Sequence, residues 1–344
     1  MDNNQPPLLH SRPQCRDISL PQGVRDILPE EAEIVGNAEK TILATFEKHG
    51  FHRFIPPLVE YTDVLSRGVG PDLRDKVFTF TEPATGRGVA ISPDITPQVA
   101  RVIATRMRDV PLPLKLCYNK NVLRIKKSEG GAFREILQIG AEYLTGEGST
   151  ESDVEIITTA IEILKALDMD DFTIDIGTTR FVRTIIEQLS VDDNEKERIR
   201  DAIALKDVTA LEKIVAACGK EIGKETGALL LRIPTLFGDN RVVDEALTCV
   251  SGGEPRAALE QLGGVVEALR GKGYGKHLTI DLGEVRCFDY YTGVIFEAFA
   301  HGVGKAILSG GRYDTLMAHY GYPCSAIGFA FDMENLVNAI EKRG

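Results

Sequence analysis

Apolar residues recur four apart at Ile34, Ala38, Ile42 and Phe46, with Gly50 behind them, which predicts an amphipathic helix from Glu30 to His49. Phe51 to Glu60 has the pattern of a strand, and its Pro56-Pro57 pair suits an edge or interface position. Asp75 to Phe80 and Gly88 to Ser92 flank the turn-rich Glu82-Pro-Ala-Thr-Gly-Arg87 and predict a hairpin. Thr96-Pro97 predicts the start of the next helix, with threonine as N-cap and proline at the first helical position. Leu114 to Ile125 and Arg134 to Leu144 are two more predicted strands, and Thr150-Glu-Ser-Asp153 is a capping-box-like opening to a helix reaching Leu167.

After a predicted strand at Phe172 to Ile176 the pattern changes to short helices with polar joints. Strand signals return at Leu278, continue through Leu308, and give way to a final helix from Asp332. This divides the chain into a tail (1–17), a strand-rich core in two pieces (18–177 and 273–344) and a helical insertion (178–272). Hairpin-like strands outnumber βαβ units, so the expected class is α+β, an antiparallel sheet flanked by helices.

Composition narrows the function classes. With 344 residues, 43% hydrophobic and 26% charged, the chain has ample material for a globular core. Its net charge of −11 argues against a general nucleic-acid binder, whose affinity comes from basic residues meeting phosphates. The six cysteines are scattered without a C-x-x-C pair, which disfavours zinc sites and a disulfide framework and suits a reducing cytoplasm. No apolar run approaches the ~20 residues of a membrane span, and the polar, proline-bearing N-terminus has no signal-peptide core.

Most candidate chemistry can be set aside. Gly302-Val-Gly304-Lys305 lacks the leading glycine and the hydroxyl of a P-loop, and Gly271-Lys-Gly-Tyr-Gly275 precedes a strand, so both are turns. No pair of histidines has metal-ligand spacing; no metal and no cofactor are expected. Gly283 to Gly293 differs. Between the apolar runs Leu278 to Leu282 and Val294 to Phe296 it sets Arg286, Asp289, Tyr290 and Tyr291 within six residues. That inventory suits a small zwitterion: carboxylate for amine, guanidinium for carboxyl, phenols for a polar ring. The competing reading is a salt-bridged hairpin tip. Further polar residues stand at Asp94, Thr96, Arg124, Gln138 and Glu142, and the last two, an even number apart on one strand, share a face. Together with the loop they sum to an amino-acid-sized pocket.

At these residues the sequence resembles class II histidyl-tRNA synthetases, in order from about Pro21 to Gly344. The family's histidine-specific loop, Arg-Gly-Leu-Asp-Tyr-Tyr, corresponds to Arg286-Cys-Phe-Asp289-Tyr290-Tyr291, and its Gly-Gly-Arg-Tyr-Asp stands unchanged at Gly310 to Asp314. The dimer-forming first motif matches Pro56-Pro57-Leu58-Val59-Glu60, and Arg-Pro-Glu-Gly-Thr, which holds the amine, becomes Ser92-Pro93-Asp94-Ile95-Thr96. The resemblance implies the class II synthetase fold. It also implies a histidine-contacting set of Asp94, Thr96, Arg124, Gln138, Glu142, Arg286, Tyr290 and Tyr291, and a homodimer with Phe54 to Val59 at its interface.

The departures concern ATP. The second motif's Arg-x-Glu is Arg124-Ile125-Lys126, a further phosphate-binding arginine aligns with Ala132, and the third motif's γ-phosphate arginine aligns with Asn335. Neither Ala nor Asn replaces a bidentate guanidinium on phosphate. The chain also stops just after the third motif, before the anticodon-binding domain of synthetases, so no tRNA partner is expected. A histidine pocket without ATP grip resembles the regulatory subunits of ATP phosphoribosyltransferase. That resemblance implies a non-catalytic chain with a short-form catalytic partner, a hetero-octamer, and feedback inhibition by histidine in histidine biosynthesis. Retention of Arg286, catalytic in synthetases, keeps a truncated synthetase-like ligase adenylating histidine or a related amino acid as the alternative.

Overall fold

A computed structural model describes residues 19–68, 77–126, 132–285 and 290–342, the side chains of 126, 132 and 133 aside. Helix α1 (Pro29–Lys48) opens the described chain and buries the predicted stripe Ala38, Ile42 and Phe46. Each large member contributes roughly 1.5–3 kcal/mol by burial. The strand expected over Phe51 to Glu60 is two short ones, β1 (His52–Arg53) and β2 (Val59–Tyr61), in different sheets. Pro56 and Pro57 lack the N–H a ladder needs, so the extended pattern breaks between them. Helix α2 (Thr62–Leu65), β3 (Thr79–Thr81) and β4 (Gly88–Ile91) follow, and β2, β4 and β3 form a small antiparallel sheet.

Helix α3 (Thr96–Arg106) begins where expected, but Ile95 occupies the cap position and the Thr96 side chain makes no cap bond. Its hydroxyl is used in the site below. Strands β5 (Leu114–Lys126) and β6 (Ala132–Thr145) pair along thirteen positions. In α4 (Thr150–Ala166) the capping box lies one residue earlier than read: Ser149 caps, with Ser152 as its reciprocal partner. Asp153 is left free for a buried ion pair with Arg312.

After β7 (Phe172–Thr178) comes the helical stretch: α5 (Thr179–Glu187), α6 (Asp193–Ala204), α7 (Val208–Ala217), α8 (Gly219–Ile222) and α9 (Lys224–Arg232). Strand β8 (Phe237–Gly238), α10 (Arg241–Thr248) and α11 (Gly253–Gly271) complete it. The chain then forms β9 (Leu278–Asp281), β10 (Val294–Ala300), β11 (Leu308–Arg312), α12 (Asp314–His319), β12 (Ser325–Asp332) and α13 (Met333–Glu341).

Among the described residues nine strands make the main sheet, in the order β1-β5-β6-β12-β11-β10-β7-β9-β8. It is mixed: β1–β5 and β7–β9 are parallel, the other described pairings antiparallel. One consequence overturns the hairpin-tip reading of Gly283 to Gly293. Strands β9 and β10 do not pair with each other, because β7 runs between them. The described residues on either side of it, Gly283 and Gly293, therefore lie at the C-terminal end of β7, where α5 begins. One face of the sheet packs on α1, α4, α11 and α13 around a large aliphatic core; the other carries a smaller, tyrosine-rich core with α3 and α12. Among the described residues no helix is long and apolar enough to cross a membrane.

Candidate functional site

The tyrosine-rich face holds a cavity of about 250 Å³. Asp94, Thr96, Arg124, Gln138, Glu142, Tyr290 and Tyr291 all line it, although they come from a loop, one helix start, two strands and the residues just before β10. Arg286 lies outside the described residues, as do the side chains of Lys126 and Ala132. The shared face of Gln138 and Glu142 follows from strand periodicity on β6.

Glu142 is the centre of the site. It is 1% exposed, and its Oε1 accepts from Thr96 Oγ1 at 3.0 Å and Tyr118 Oη at 3.3 Å, its Oε2 from Tyr313 Oη at 2.5 Å. Burial pushes the Glu142 carboxyl up to about 8, the Asp94 charge adds to this, and the three hydroxyl donors pull the other way. Burial likewise raises the phenols of Tyr118, Tyr290 and Tyr313, so they stay protonated as donors. Asp94, 3% exposed, accepts from the Ile95 amide at 3.0 Å and Tyr290 Oη at 2.9 Å. The Gln138 side-chain oxygen is buried in the same cavity without a hydrogen-bond partner among the described residues. Arg124 donates through Nε to the Pro93 carbonyl at 2.8 Å and reaches to 4.0 Å from Asp94.

Sequence reasoning missed Tyr118, Tyr313 and the space that Glu142 needs. Gly328 pairs with Glu142 across β12 and β6, and a Cβ there would stand 1.6 Å from Glu142 Oε2. Gly140 similarly leaves room for the Tyr118 phenol, 2.5 Å from where its Cβ would be. Glycines inside otherwise apolar strands were the available signal.

The cavity's outer rim is built differently. Arg134 pairs with Asp332 at 2.5 Å and Glu334 at 3.6 Å, and Asn335 Nδ2 donates to the Ala306 carbonyl at 2.8 Å. Lys305 completes this wall. The inner half thus offers two buried carboxylates, protonated phenols and an unpartnered amide oxygen to one small ligand, whereas most rim groups are already paired.

A family model described as histidyl-tRNA synthetase matches residues 23–336. Fold, motif order and cavity together define a chain of the class II histidyl-tRNA synthetase type. A solved structure described as an ATP phosphoribosyltransferase regulatory subunit/histidyl-tRNA synthetase from Bacillus halodurans superposes with a TM-score of 0.84 at 26% identity, covering 97% of this chain and 84% of that one. The ATP phosphoribosyltransferase regulatory subunit of Geobacter sulfurreducens is 44% identical over 94% of this chain and 73% of its own length. That of Geobacter metallireducens is 41% identical over 97% of this chain and 76% of its own. The chain belongs to the family of ATP phosphoribosyltransferase regulatory subunits, paralogues of histidyl-tRNA synthetase.

Proposed function

We propose that the chain is a non-catalytic histidine sensor, required for activity of a short-form ATP phosphoribosyltransferase catalytic subunit and shutting it down when histidine accumulates. The observation that carries this reading is the pair of buried carboxylates, Asp94 and Glu142, facing one phenol-lined cavity. Histidine fits that chemistry: its ammonium pairs with Asp94 near Thr96, its imidazole N–H with Glu142 among the phenols, and its carboxylate with Arg124 and Arg286. The Gln138 oxygen accepts one of the remaining N–H groups. Each charge-assisted contact contributes roughly 1.5–3 kcal/mol.

Feedback follows if the assembly has two states to which histidine binds with different affinity; that difference is the only free energy available to shift partner activity. We take residues 178–272 as an insertion between the two pieces of the core, and the assembly as a hetero-octamer. Within it the regulatory chains pair as homodimers through Phe54 to Val59. Exposed Ile55 (71%) and Leu58 (48%), beside Val59 and Phe80, support that face.

Calorimetric titration tests the reading. The chain, alone or with its catalytic partner, binds histidine, and replacing Asp94 and Glu142 together by alanine abolishes both binding and feedback. Absence of histidine binding by the wild-type complex refutes the sensor. Histidine-dependent ATP–pyrophosphate exchange at synthetase-like rates would instead establish the ligase that retention of Arg286 favours.

A further inference from the structure

The described ends of the segment from Gly283 to Gly293 both rest on the helical stretch that begins at Thr179. At the far end, the Thr179 amide donates to the Gly293 carbonyl at 3.0 Å, and its hydroxyl lies 3.3 Å from Gly293 O and 3.4 Å from Tyr291 O. At the near end, Asp281 ends β9, is 8% exposed, and accepts the Gly283 amide on Oδ1 at 2.9 Å. Its other oxygen accepts from Lys206 Nζ at 2.7 Å.

Lys206 belongs to the turn between α6 and α7. It is a non-glycine residue at φ 53°, a conformation that persists only where surroundings hold it. Its ammonium also sits 4.7 Å from the centre of the Phe237 ring, on β8 opposite Asp281. Both neighbours are surface residues, Leu205 (67% exposed) and Phe237 (51%), so the lysine is not part of a core. What it faces is acidic: Asp175, Asp281, Glu284 and Glu297 line one small cleft. Burial and then the Asp281 charge raise the Asp175 carboxyl to about 6, with Lys206 opposing them. Without that cation, Asp281 would stand largely buried among other carboxylates with no ammonium to hold its side chain against Gly283.

We propose that Lys206 is a positioning residue for the histidine-contacting loop: by holding Asp281 it fixes Gly283, from which the chain runs to Tyr290 and Tyr291. The proposal rests on the histidine-binding reading and adds that the helical stretch sets the pocket's ligand affinity through this contact. A disturbance at the surface turn bearing Leu205 and Lys206 is thereby passed to a pocket in which neither residue takes part.

The test compares wild type, Lys206→Met and Lys206→Arg by histidine titration and by hydrogen exchange of the unliganded chain. Methionine keeps the apolar contact with Phe237 and removes the charge; arginine keeps the charge. Expected for Lys206→Met are histidine binding weakened by about tenfold, within the usual span of couplings between sites, and faster exchange confined to the 282–293 segment. Exchange in β5 and β6 stays as in wild type, which a generally loosened fold would not allow. Lys206→Arg restores both readings. Unchanged exchange of that segment in Lys206→Met overturns the tether whatever the ligand. So does unchanged affinity in a chain whose wild type binds histidine. Localised faster exchange without wild-type histidine binding would sustain the tether and sink the ligand reading.

Discussion

The two ends of the cavity are made from the same strands and have opposite electrostatic outcomes. Deep inside, Glu142 on β6 is surrounded by hydroxyls and directed at open space. At the rim, Arg134 on the same strand and the same face is already answered by Asp332 and Glu334. Asn335, where the synthetases carry a phosphate-gripping arginine, is tied to the Ala306 carbonyl. An active site keeps its charges available to a ligand; a former one can spend them on its own framework. The inner half has the first character and most of the rim the second, which is what the proposed reading of an amino-acid pocket without a nucleotide site expects.

The sharpest way to break this contrast is at Glu142. Measured above about pH 8, where the folded carboxyl is ionised, Glu142→Gln keeps the shape and removes the charge, so histidine affinity should fall at least about thirtyfold, the loss of one charge-assisted contact of about 2 kcal/mol. Stability should move the other way. Folding raises this carboxyl from 4.5 to about 8, so between those values the folded chain holds a proton the unfolded chain has released. The stability linked to that proton is complete below the ordinary carboxylate value and is lost as pH rises through about 8. Glu142→Gln should therefore melt above wild type at pH 8–9, by an amount on the order of a few kcal/mol, and match it near pH 4–5. A variant no more stable than wild type in alkali would show that Glu142 is not strained by burial.

Next in size is Gly328→Ala. The added methyl collides with the Glu142 carboxyl, so that side chain must leave its three hydroxyl donors. Overpacking of this kind costs typically 1–3 kcal/mol, and histidine affinity should drop about as far as in Glu142→Gln. Affinity at the wild-type level would place the ligand elsewhere than against Glu142. At the rim, Asn335→Arg reinstates the synthetase residue by type alone. It should leave histidine binding within about threefold, lower stability by about 1–3 kcal/mol through crowding, and produce no ATP–pyrophosphate exchange. Exchange activity in this single variant would mean that the rim has kept a phosphate site after all.

How much of this was legible beforehand follows from the range of the interactions. Helix α1 and the long strands β5 and β6 were readable to within a residue or two, because periodic burial is written locally. The split of Phe51 to Glu60 and the passage of β7 between β9 and β10 were not, since both depend on which strand lies alongside. In the site, the polar residues could be picked out by type and motif. Thr96 was read as a cap because nothing local shows a carboxylate 46 positions away taking its hydroxyl. Tyr118 was not singled out, and Tyr313 stood only within the Gly310 to Asp314 motif; both are buried. Only the fold reveals that their hydroxyls converge on one oxygen pair, and that Gly328 is the vacancy this convergence requires.

The smallest expected effect is the most discriminating control. Arg134 stands eight positions before Glu142, on the same face of β6 and in the wall of the same cavity. If proximity to the cavity were enough to matter, Arg134→Met should behave like a weakened Glu142→Gln. If the rim's charges are internal, the variant loses only a part-exposed ion pair with Asp332 and Glu334, worth about 1 kcal/mol or less. Histidine affinity should then change by less than about threefold, and the loss of stability should shrink as salt screens the pair in the wild type. A tenfold loss of affinity would put the ligand's carboxylate against Arg134. The boundary between a retained inner site and a spent rim would then have to move outward by several positions along β6.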